Sequence, residues 1–286
     1  LVPLLAGGAI AQVATIEVAP QVGHSSGAPR AIALSHNGLW LVSGDVVRRL
    51  IFWDVVAGRI IRAQTTSGTG ISALAFSPDD SLVAVGDYDG NVRILDTASG
   101  AETALLKGRQ EVKAVGWRGA RTLLVHHATH LAEWSTSSWT AGGESRLSLA
   151  ANVVHRGSFS ADGRYLLAVY RAGRQDNHRS FVVDTRTGRV VLEAAGGIAA
   201  LSVEGGRPTL YILERDRRLR RTSANANAEV MLSAPDLAEP YRVSGPMVTP
   251  DGRFVLIDSG GSLNLVDTRT KVASRIARTR LDVPTE

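Results

Sequence analysis

The chain of 286 residues repeats one short pattern at a nearly constant spacing. Each clear copy places Ser or Thr two positions before an Asp or Asn, between apolar runs. The clear copies are Ser35–Gly38, Ser77–Asp80, Ser160–Gly163 and Thr249–Gly252, and the weaker ones are Arg118–Arg121 and Glu204–Arg207. Their first residues are separated by 42, 41, 42, 44 and 45 positions. A repeat of this length holds one supersecondary unit, and several units must stack to bury a common core.

Turn chemistry divides each repeat into four short strands, which we name a, b, c and d. The Ser/Thr-x-Asp/Asn-Gly turn joins a to b, because its polar side chain bonds to backbone amides and Gly tolerates positive φ. In three repeats an Asp is followed four residues later by Gly, which joins c to d. These pairs are Asp54/Gly58, Asp96/Gly100 and Asp184/Gly188. The chain is therefore predicted to be all-β, a β-propeller of four-stranded antiparallel blades with six blades visible.

Strand a alternates large and small side chains. In the first repeat, Leu34 and Ile32 alternate with Ala33 and Ala31, and later repeats follow the pattern more loosely. We attribute the small positions to the taper of the blades toward the propeller axis. This pattern indicates packing and predicts no chemistry.

The repeats resemble the WD-repeat family of β-propellers. The similarity depends on Gly23-His24, Trp53-Asp54 and Asp89-Gly90, and it extends unevenly over residues 12–278. It implies a non-catalytic scaffold for protein–protein interaction that needs no cofactor. Family members often brace each blade with hydrogen-bonded His, Asp, Ser/Thr and Trp side chains. Since Val47 occupies the place expected for the Asp of the first repeat, we expect apolar packing to brace the blades instead.

Candidates for the outer d strand outnumber the a–b–c sets by one. Six follow their own c strands, at 59–65, 101–106, 144–149, 189–193, 228–232 and 271–277. The seventh, residues 13–18, precedes every set. In the family an N-terminal strand commonly completes the last blade, which leaves no exposed edge. We therefore expect a seventh blade in the intact protein, with residues 279–286 as a tail or a lead into it.

The first residues are apolar and end in small side chains. They lack strand alternation and carry Ala9-Ile10-Ala11, the small-x-small pattern that precedes cleavage of a signal peptide. We interpret residues 1–11 as the remnant of a signal peptide and predict an exported, periplasmic protein of bacterial origin. The alternative is an ordinary apolar strand in a cytoplasmic protein.

Composition and charge exclude several classes of protein. Without Cys, the chain has no disulfide framework and no Cys-ligated metal. No apolar run is long enough to make it a polytopic membrane protein. The net charge of +5 is mild, and no aromatic residue lies within the basic run 214–221, so we expect no nucleic-acid partner. We expect a monomeric domain.

One histidine cluster has a spacing that zinc could use, with His126, His127 and His130 beside Glu133. Strand alternation directs His126 and His127 to opposite faces, which disfavours a shared ion. The chain also lacks the Gly-x-Ser-x-Gly pattern of a nucleophile elbow. We therefore predict no catalytic, cofactor-binding or metal-binding residue.

The predicted partner-binding face carries the d–a and b–c connections, since loops on a rigid scaffold can vary without disturbing the core. The candidate contact residues on it are Asp87, Tyr88, His127, Arg174, Asp176, His178, Arg215 and Arg218. Two alternatives stay open. The propeller is a sensor or scaffold region of a larger enzyme, such as a caspase-like peptidase or a kinase fusion. Less favoured is a hydrolase or small-ligand site in the central channel, near Lys113 and Arg156.

Overall fold

Six antiparallel sheets of four strands form a β-propeller, with each sheet as one blade and its strands in chain order. The computed structural model describes residues 24, 29–147, 149, 154–172, 177–214, 216, 218–224, 228–233, 246–258 and 262–278. Within those residues the only helical segment is a 3₁₀ turn at Gly119–Arg121, and no helix is long and apolar enough to cross a membrane.

The strands of blades 1 to 3 are β1 (Ala31–Leu34), β2 (Trp40–Gly44), β3 (Arg49–Asp54), β4 (Arg59–Thr65), β5 (Ile71–Phe76), β6 (Leu82–Asp87), β7 (Val92–Asp96), β8 (Glu102–Leu106), β9 (Ala114–Arg118), β10 (Thr122–His126), β11 (His130–Ser135) and β12 (Thr140–Arg146). Those of blades 4 to 6 are β13 (Val154–Phe159), β14 (Tyr165–Ala172), β15 (Asn177–Asp184), β16 (Arg189–Ala195), β17 (Ile198–Glu204), β18 (Arg207–Leu213), β19 (Arg218–Ser223), β20 (Glu229–Ser233), β21 (Met247–Val248), β22 (Phe254–Asp258), β23 (Ser262–Asp267) and β24 (Val272–Arg278).

The repeated polar pattern forms the hydrogen-bonded a–b turns. Ser35 Oγ donates to Asn37 Oδ1 (2.8 Å) and accepts from the amide of Trp40 (2.9 Å). Gly38 adopts a φ of 73°, in the left-handed region that Gly enters without strain. The same two side-chain bonds recur at Ser77, Ser160 and Thr249. The pattern that defines the repeat therefore serves the fold.

Strand a presents its two faces to two different blades. Phe76 of blade 2 packs with Phe52 of blade 1, whereas Ala73 packs toward blade 3 with Val115. Trp117 of blade 3 in turn packs against the core of blade 2. The large positions therefore face the preceding blade and the small positions face the next one. This pairing, rather than the taper alone, explains the alternation in the sequence.

Glycine positions adjust the spacing between neighbouring sheets. A Cβ added to Gly44 of blade 1 would lie 2.5 Å from the Cγ2 atom of Ile71 in blade 2. Between blades 3 and 4 the sizes are exchanged, because Gly157 of blade 4 makes room for His126 of blade 3. A Cβ at Gly157 would lie 2.9 Å from His126 Nδ1. Close packing requires this complementarity, and one extra methyl group would force the sheets apart.

The predicted d strand of blade 3, at 144–149, was wrong, because β12 spans Thr140–Arg146. No Gly marks this c–d turn. Trp139 instead adopts the left-handed conformation, with a φ of 53°, and its amide donates to the carbonyl of Ser135 (2.8 Å). A large residue thus holds the position where blades 1, 2 and 4 have Gly, and β12 begins directly after it, as β4 begins directly after Gly58.

The b–c hairpin of blade 4 is longer than those of its neighbours. Strands β14 and β15 continue their pairing out to Ala172 and Asn177, and Arg171 pairs with His178. The blade is therefore taller than its neighbours at this end, and residues 173–176 between the strands lie outside the described residues.

Candidate protein-binding face

The d–a connections and b–c turns lie together on one face of the propeller, which we call the loop face. In blades 1 to 3 it is formed by residues 45–48, 66–70, 87–91, 107–113 and 127–129. The amide of Tyr88 donates to the carbonyl of Gly70 (3.2 Å), and His127 Nδ1 donates to the carbonyl of Gln110 (2.9 Å). These bonds join the b–c turns of blades 2 and 3 to the d–a connections before them, one through backbone groups and one through a histidine side chain.

A buried polar network braces the loop face of blade 1. His24 Nδ1 donates to Asp45 Oδ2 (2.8 Å), and His24 Nε2 lies 2.8 Å from Ser43 Oγ. Trp53 Nε1 donates to the same Ser43 oxygen (2.8 Å). An imidazole with its one proton on Nδ1 satisfies the whole chain, since Nε2 then accepts from the Ser43 hydroxyl. The network ties the d–a connection to strands b and c.

The carboxylate of Asp45 holds the turn itself. It is fully buried, and its Oδ1 atom accepts from the amides of Val47 (3.0 Å) and Arg49 (2.9 Å). Burial alone would raise the pKa of this carboxyl. The hydrogen bond from His24 and those from the two amides outweigh burial and hold the pKa below its ordinary value.

This network corrects the expectation that blade 1 lacks the Asp of the family's bracing set. The turn Asp is Asp45, two residues before Val47, and Ser43 completes the set with His24 and Trp53. The b–c turns of blades 1 and 2 have the same length, and position 47 aligns with Asp89 of blade 2. The Asp that braces the turn aligns instead with the buried Asp87, two residues earlier.

Blade 2 has a buried Asp at the same place but a different partner. Asp87 Oδ1 accepts from the amides of Asp89 (3.0 Å) and Asn91 (2.8 Å). Its Oδ2 atom accepts from Arg93 NH1 (2.8 Å), and Arg93 Nε donates to Ser67 Oγ (3.0 Å) in the d–a connection. Arg93 belongs to strand c and is 4% exposed. A charged guanidinium here replaces the imidazole of blade 1.

Comparison with known proteins agrees with this geometry. A family model described as the anaphase-promoting complex subunit 4 WD40 domain matches residues 31–120, which include blades 1 and 2. ROOT INITIATION DEFECTIVE 3 of Arabidopsis thaliana is 31% identical over 65 residues, 23% of this chain and 15% of that protein. The WD repeat-containing protein SL1-17 of Schistosoma mansoni is 25% identical over 164 residues, 57% of this chain and 52% of that protein.

The chain is a β-propeller whose first two blades are similar to a WD40 domain. A solved structure of Kuenenia stuttgartiensis hydrazine synthase has the same fold, with a TM-score of 0.66 and 16% sequence identity, over 84% of this chain and 76% of that one. At that identity the likeness concerns the fold alone. The chain spans about half the length of one curated relative and less than a sixth of the other.

The structure of this propeller separates the predicted contact residues into several groups. Asp87 is 1% exposed and holds its turn, so its side chain is not available to a partner. Tyr88 is half-buried, and its hydroxyl accepts from Arg30 Nε (3.1 Å). His127 is half-buried and bonded to Gln110. Of the candidates on the loops of blades 1 to 3, Tyr88 and His127 therefore remain accessible.

The candidates in blades 4 and 5 are only partly described. His178 lies within strand β15 rather than in a loop and is half-buried. Arg218 begins β19 and is exposed, with its Nε atom 2.5 Å from Asp216 Oδ2 and 3.8 Å from Glu214 Oε2. Arg174, Asp176 and Arg215 lie outside the described residues. Its local partners neutralise Arg218, which reduces its value as an isolated charge for a ligand.

Sequence reasoning missed the exposed tip of the blade 1 turn. Val46 and Val47 are 51% and 48% exposed, although Asp45 holds the turn rigidly from below. The exposed Arg48 follows, with a φ of 71°. Two adjacent β-branched apolar residues in a tight turn are unusual, because such turns favour Gly, Asn and Asp. This unusual pair of valines was the feature of the sequence that could have identified the exposed tip.

The structure gives little support to a hydrolase or small-ligand site in the central channel near Lys113. Its ammonium lies 2.5 Å from Glu111 Oε2, so a local ion pair neutralises it. Arg156 keeps an exposed surface, while its enclosure by protein and the charge of Arg30 lower its pKa. Glu111 and Lys113 are paired with each other, so neither is a free acid or base of the kind that hydrolysis needs.

The histidine cluster does not converge on an ion. His126 is fully buried, and neither ring nitrogen has a hydrogen-bond partner among the described residues. Burial, followed by the charges of His127 and Lys113, lowers the pKa of His126 to about 3. His130 instead bonds to Thr129 (3.1 Å). Among the described residues no three potential ligands gather as a metal site would require.

A cavity of about 470 Å³ lies on the opposite face, between blades 5 and 6. Tyr211 lines its base, and the tyrosine hydroxyl lies 2.8 Å from Glu204 Oε1. Burial and the neighbouring carboxylate raise the pKa of Tyr211 to about 12. Arg221 pairs with Glu204, and Lys271 pairs with Glu229 (2.7 Å). These four charges are paired within the cavity wall, which also carries Asp251, Arg253 and Arg269.

Proposed function

We propose that this WD-repeat propeller is a non-catalytic scaffold that binds a protein partner through the loop face of blades 1 and 2. The observation that carries the proposal is the exposed Val46-Val47-Arg48 tip, held on a buried network beside Tyr88 and Arg30. Tyrosine and arginine are enriched among residues that dominate binding energy, and exposed apolar side chains supply the desolvated contact.

These groups form one continuous patch. The backbone of Val46 lies against Gly70, where an added Cβ would meet the Val46 carbonyl oxygen at 2.4 Å. The carbonyl of Gly70 accepts from the amide of Tyr88, whose hydroxyl binds Arg30. The tip of blade 1, the connection to blade 2 and the turn of blade 2 are therefore adjacent.

The charge of the patch specifies the partner more closely. Arg30, Arg48 and Arg109 are exposed on or beside it, and Asp89 is the exposed acid of the blade 2 turn. A surface with more cations than anions around an apolar tip suits a partner segment that carries acidic residues beside an apolar anchor. Electrostatic attraction of this kind raises the association rate and weakens with salt.

A pair of matched variants tests the proposal. Val47 and Val56 are both exposed valines in turns of blade 1, but Val56 (79% exposed) lies in the c–d turn on the opposite face. A photo-crosslinking residue at position 47 should trap the partner, which can then be purified for titration. V47D should weaken its binding by about tenfold or more, as expected at a central contact, and V56D should not. Equal binding by both variants would exclude this face.

We also propose that the protein is exported and is a monomer in solution. The apolar segment before residue 12 supports export. Reporter fusions to the intact gene product test this, since alkaline phosphatase folds only after export. A full-length fusion that is expressed but has no phosphatase activity would contradict export. Recovery of the whole reading frame decides whether the propeller stands alone or is joined to a catalytic domain.

A further inference from the structure

The a–b turns of neighbouring blades meet on the face opposite the loop face, and a side chain can close the contact. Between blades 1 and 2, the carboxylate of Asp80 accepts from the amides of His36 (2.7 Å) and Asn37 (2.9 Å). Blade 6 has Gly252 at the position of Asp80. Since glycine has no side chain, blade 6 cannot close its contact with blade 5 in this way.

The a–b turn of blade 5 is also shorter than that of a clear repeat. Five residues, 77–81, separate strands a and b of blade 2, whereas only Gly205 and Gly206 separate those of blade 5. Both glycines have a positive φ, 56° and 76°, as a two-residue hairpin requires. Gly205 and Gly252 border the cavity of about 470 Å³ between blades 5 and 6, a volume typical of small-molecule sites.

Lys271 enters the wall of this cavity from a strained turn. The c–d turns of blades 4 and 6 both read Asp-Thr-Arg-Thr, followed by Gly188 in blade 4 and by Lys271 in blade 6. Gly188 has a φ of 67°, and Lys271 keeps the left-handed conformation with a φ of 57°. This conformation is strained for a residue with a Cβ, and strained residues concentrate at functional sites. The ammonium of Lys271 lies 2.7 Å from Glu229 Oε1, so the strained residue connects blade 6 to blade 5.

The acids of the cavity wall already have hydrogen-bond donors. The Glu204 carboxylate accepts from the hydroxyl of Tyr211 (2.8 Å) and from Arg221. Asp251 Oδ1 accepts from the hydroxyl of Thr249 (2.6 Å) within its own turn. The third acid is the partner of the strained lysine. Each carboxylate is thus held by groups of the protein itself.

Two arginines of blade 6 supply N–H groups that these acids do not use. Arg253 Nε lies 4.0 Å from Asp267 Oδ2, beyond hydrogen-bond distance, and its guanidinium lies over the ring of Phe254. Arg269 is exposed and, among the described residues, forms no ion pair within 4 Å. The lining residues comprise four cations and three acids. Planar guanidinium donors of this kind suit a carboxylate or a phosphate, which they can bind in a bidentate way.

We propose that this cavity binds a small organic molecule that carries an oxyanion, either a carboxylate or a phosphate group. Arg253 and Arg269 bind the oxyanion, and the apolar part of the molecule contacts Val203 and Met231 on the blade 5 side. Because both blades supply the wall, the bound molecule ties them together and stabilises the folded protein. The site lies on the face opposite the loop face, so it does not depend on the proposed protein partner.

Isothermal titration calorimetry of the protein at constant ionic strength tests the site. Inorganic phosphate and citrate are the anionic probes, and glucose is the uncharged one. At least one anion should bind, and glucose should not. R269A should weaken binding of that anion about tenfold or more, as expected when a charged hydrogen bond is lost. Arg186 is exposed at the same place in the c–d turn of blade 4, so R186A is the matched control and should leave the affinity unchanged.

K271G separates binding from folding, because blades 1, 2 and 4 have glycine at this position. The variant should weaken anion binding, since it removes an ammonium from the wall. Its free energy of unfolding in urea, without the anion, should be unchanged or higher, because the backbone strain is relieved and an exposed ion pair contributes little.

Three outcomes would overturn the proposal. They are no binding of either anion, equal affinity of R269A and the unaltered protein, and an equal loss of affinity in R186A, which would show attraction to surface charge in general. Tighter binding of phosphate than of citrate would assign the ligand to phosphate esters, and the reverse would assign it to carboxylic acids. None of these results depends on the loop face, so partner binding stands or fails separately.

Discussion

Blades 1 and 2 hold the same turn with different chemistry. Asp45 and Asp87 stand 42 residues apart, both are buried, and each accepts two backbone amides of its own b–c turn. The partner of Asp45 is the imidazole of His24, from the d–a connection. The partner of Asp87 is the guanidinium of Arg93, from strand c. Both blades have the buried carboxylate. The group that bonds to it comes from a different part of each blade.

The difference lies in how charge is balanced. A neutral imidazole can complete the network of blade 1 with all its protons donated, whereas blade 2 buries a full ion pair. Breaking a buried ion pair by removing one member leaves an uncompensated charge, which costs more than losing a neutral hydrogen bond. Blade 2 should therefore be the more sensitive of the two to a single substitution.

The largest expected effect comes from R93M. Methionine keeps much of the side-chain volume but leaves Asp87 buried without its cation, so the free energy of unfolding should fall by about 3–5 kcal/mol. Urea unfolding followed by tryptophan fluorescence measures the loss. The double variant D87L/R93M should recover part of it, because no charge then remains buried. A loss below about 1 kcal/mol for R93M would show that solvent reaches Asp87 and that the pair contributes little.

Blade 3 extends the comparison to a buried imidazole whose nitrogens have no hydrogen-bond partner in the part of the chain that the structure describes. His126 pairs with Ala114 as Gly44 pairs with Ala31, so it stands where blade 1 has Gly before the turn Asp. Burial lowers the pKa of His126 from 6.5 to about 3. Between these values the unfolded chain binds a proton that the folded chain does not, so stability falls as the pH falls.

Lowering the pH from about 7 to about 5 should therefore cost about 2 kcal/mol through His126 alone. H126L should flatten this part of the curve of unfolding free energy against pH, which urea titrations at several pH values would record. Asp45, whose pKa lies below its ordinary value of 3.8, loses its contribution only at lower pH and so does not interfere. An unchanged slope in H126L would mean that another group carries the acid sensitivity.

The smallest expected effect is that of S43A. It leaves the indole nitrogen of Trp53 and Nε2 of His24 without their shared partner, at a cost of about 1–2 kcal/mol. A double-mutant cycle with W53F sharpens the measurement. If Ser43 links both groups, the double variant should lose less stability than the sum of the losses of the two single variants. Strict additivity would show that the hydroxyl does not join the indole to the imidazole.

Much of the fold followed from the sequence because local turn chemistry carries it. The spacing of Ser35, Ser77 and Ser160 predicted the a–b turns, and each forms with the expected side-chain bonds. The same logic failed at Trp139, where a large residue adopts the left-handed conformation usually left to Gly. A residue type predicts conformation only when no tertiary contact overrides its preference, and Trp139 packs edge-on against Trp117, with ring centroids 6.3 Å apart.

The candidate site was less predictable, because accessibility is a property of the assembled molecule. Asp87 and Tyr88 are adjacent in the sequence and were equal candidates, yet one is buried beneath the turn and the other stands above it. The exposed Val46 and Val47 resembled core residues by composition. Which side of a tight turn meets solvent depends on where its Asp is anchored, and that anchor lies 21 residues away in His24.

The amino-acid sequence alone determined the repeat, the four strands in each unit and therefore the propeller, since these depend on turns a few residues long and on apolar alternation. Only the tertiary structure decided which group meets each buried carboxylate and which turn residues are exposed. Both depend on side chains brought together from distant parts of the chain, as Arg93 is with Ser67 and Gly157 with His126. Such pairings follow from the distances between packed sheets, which no single repeat encodes.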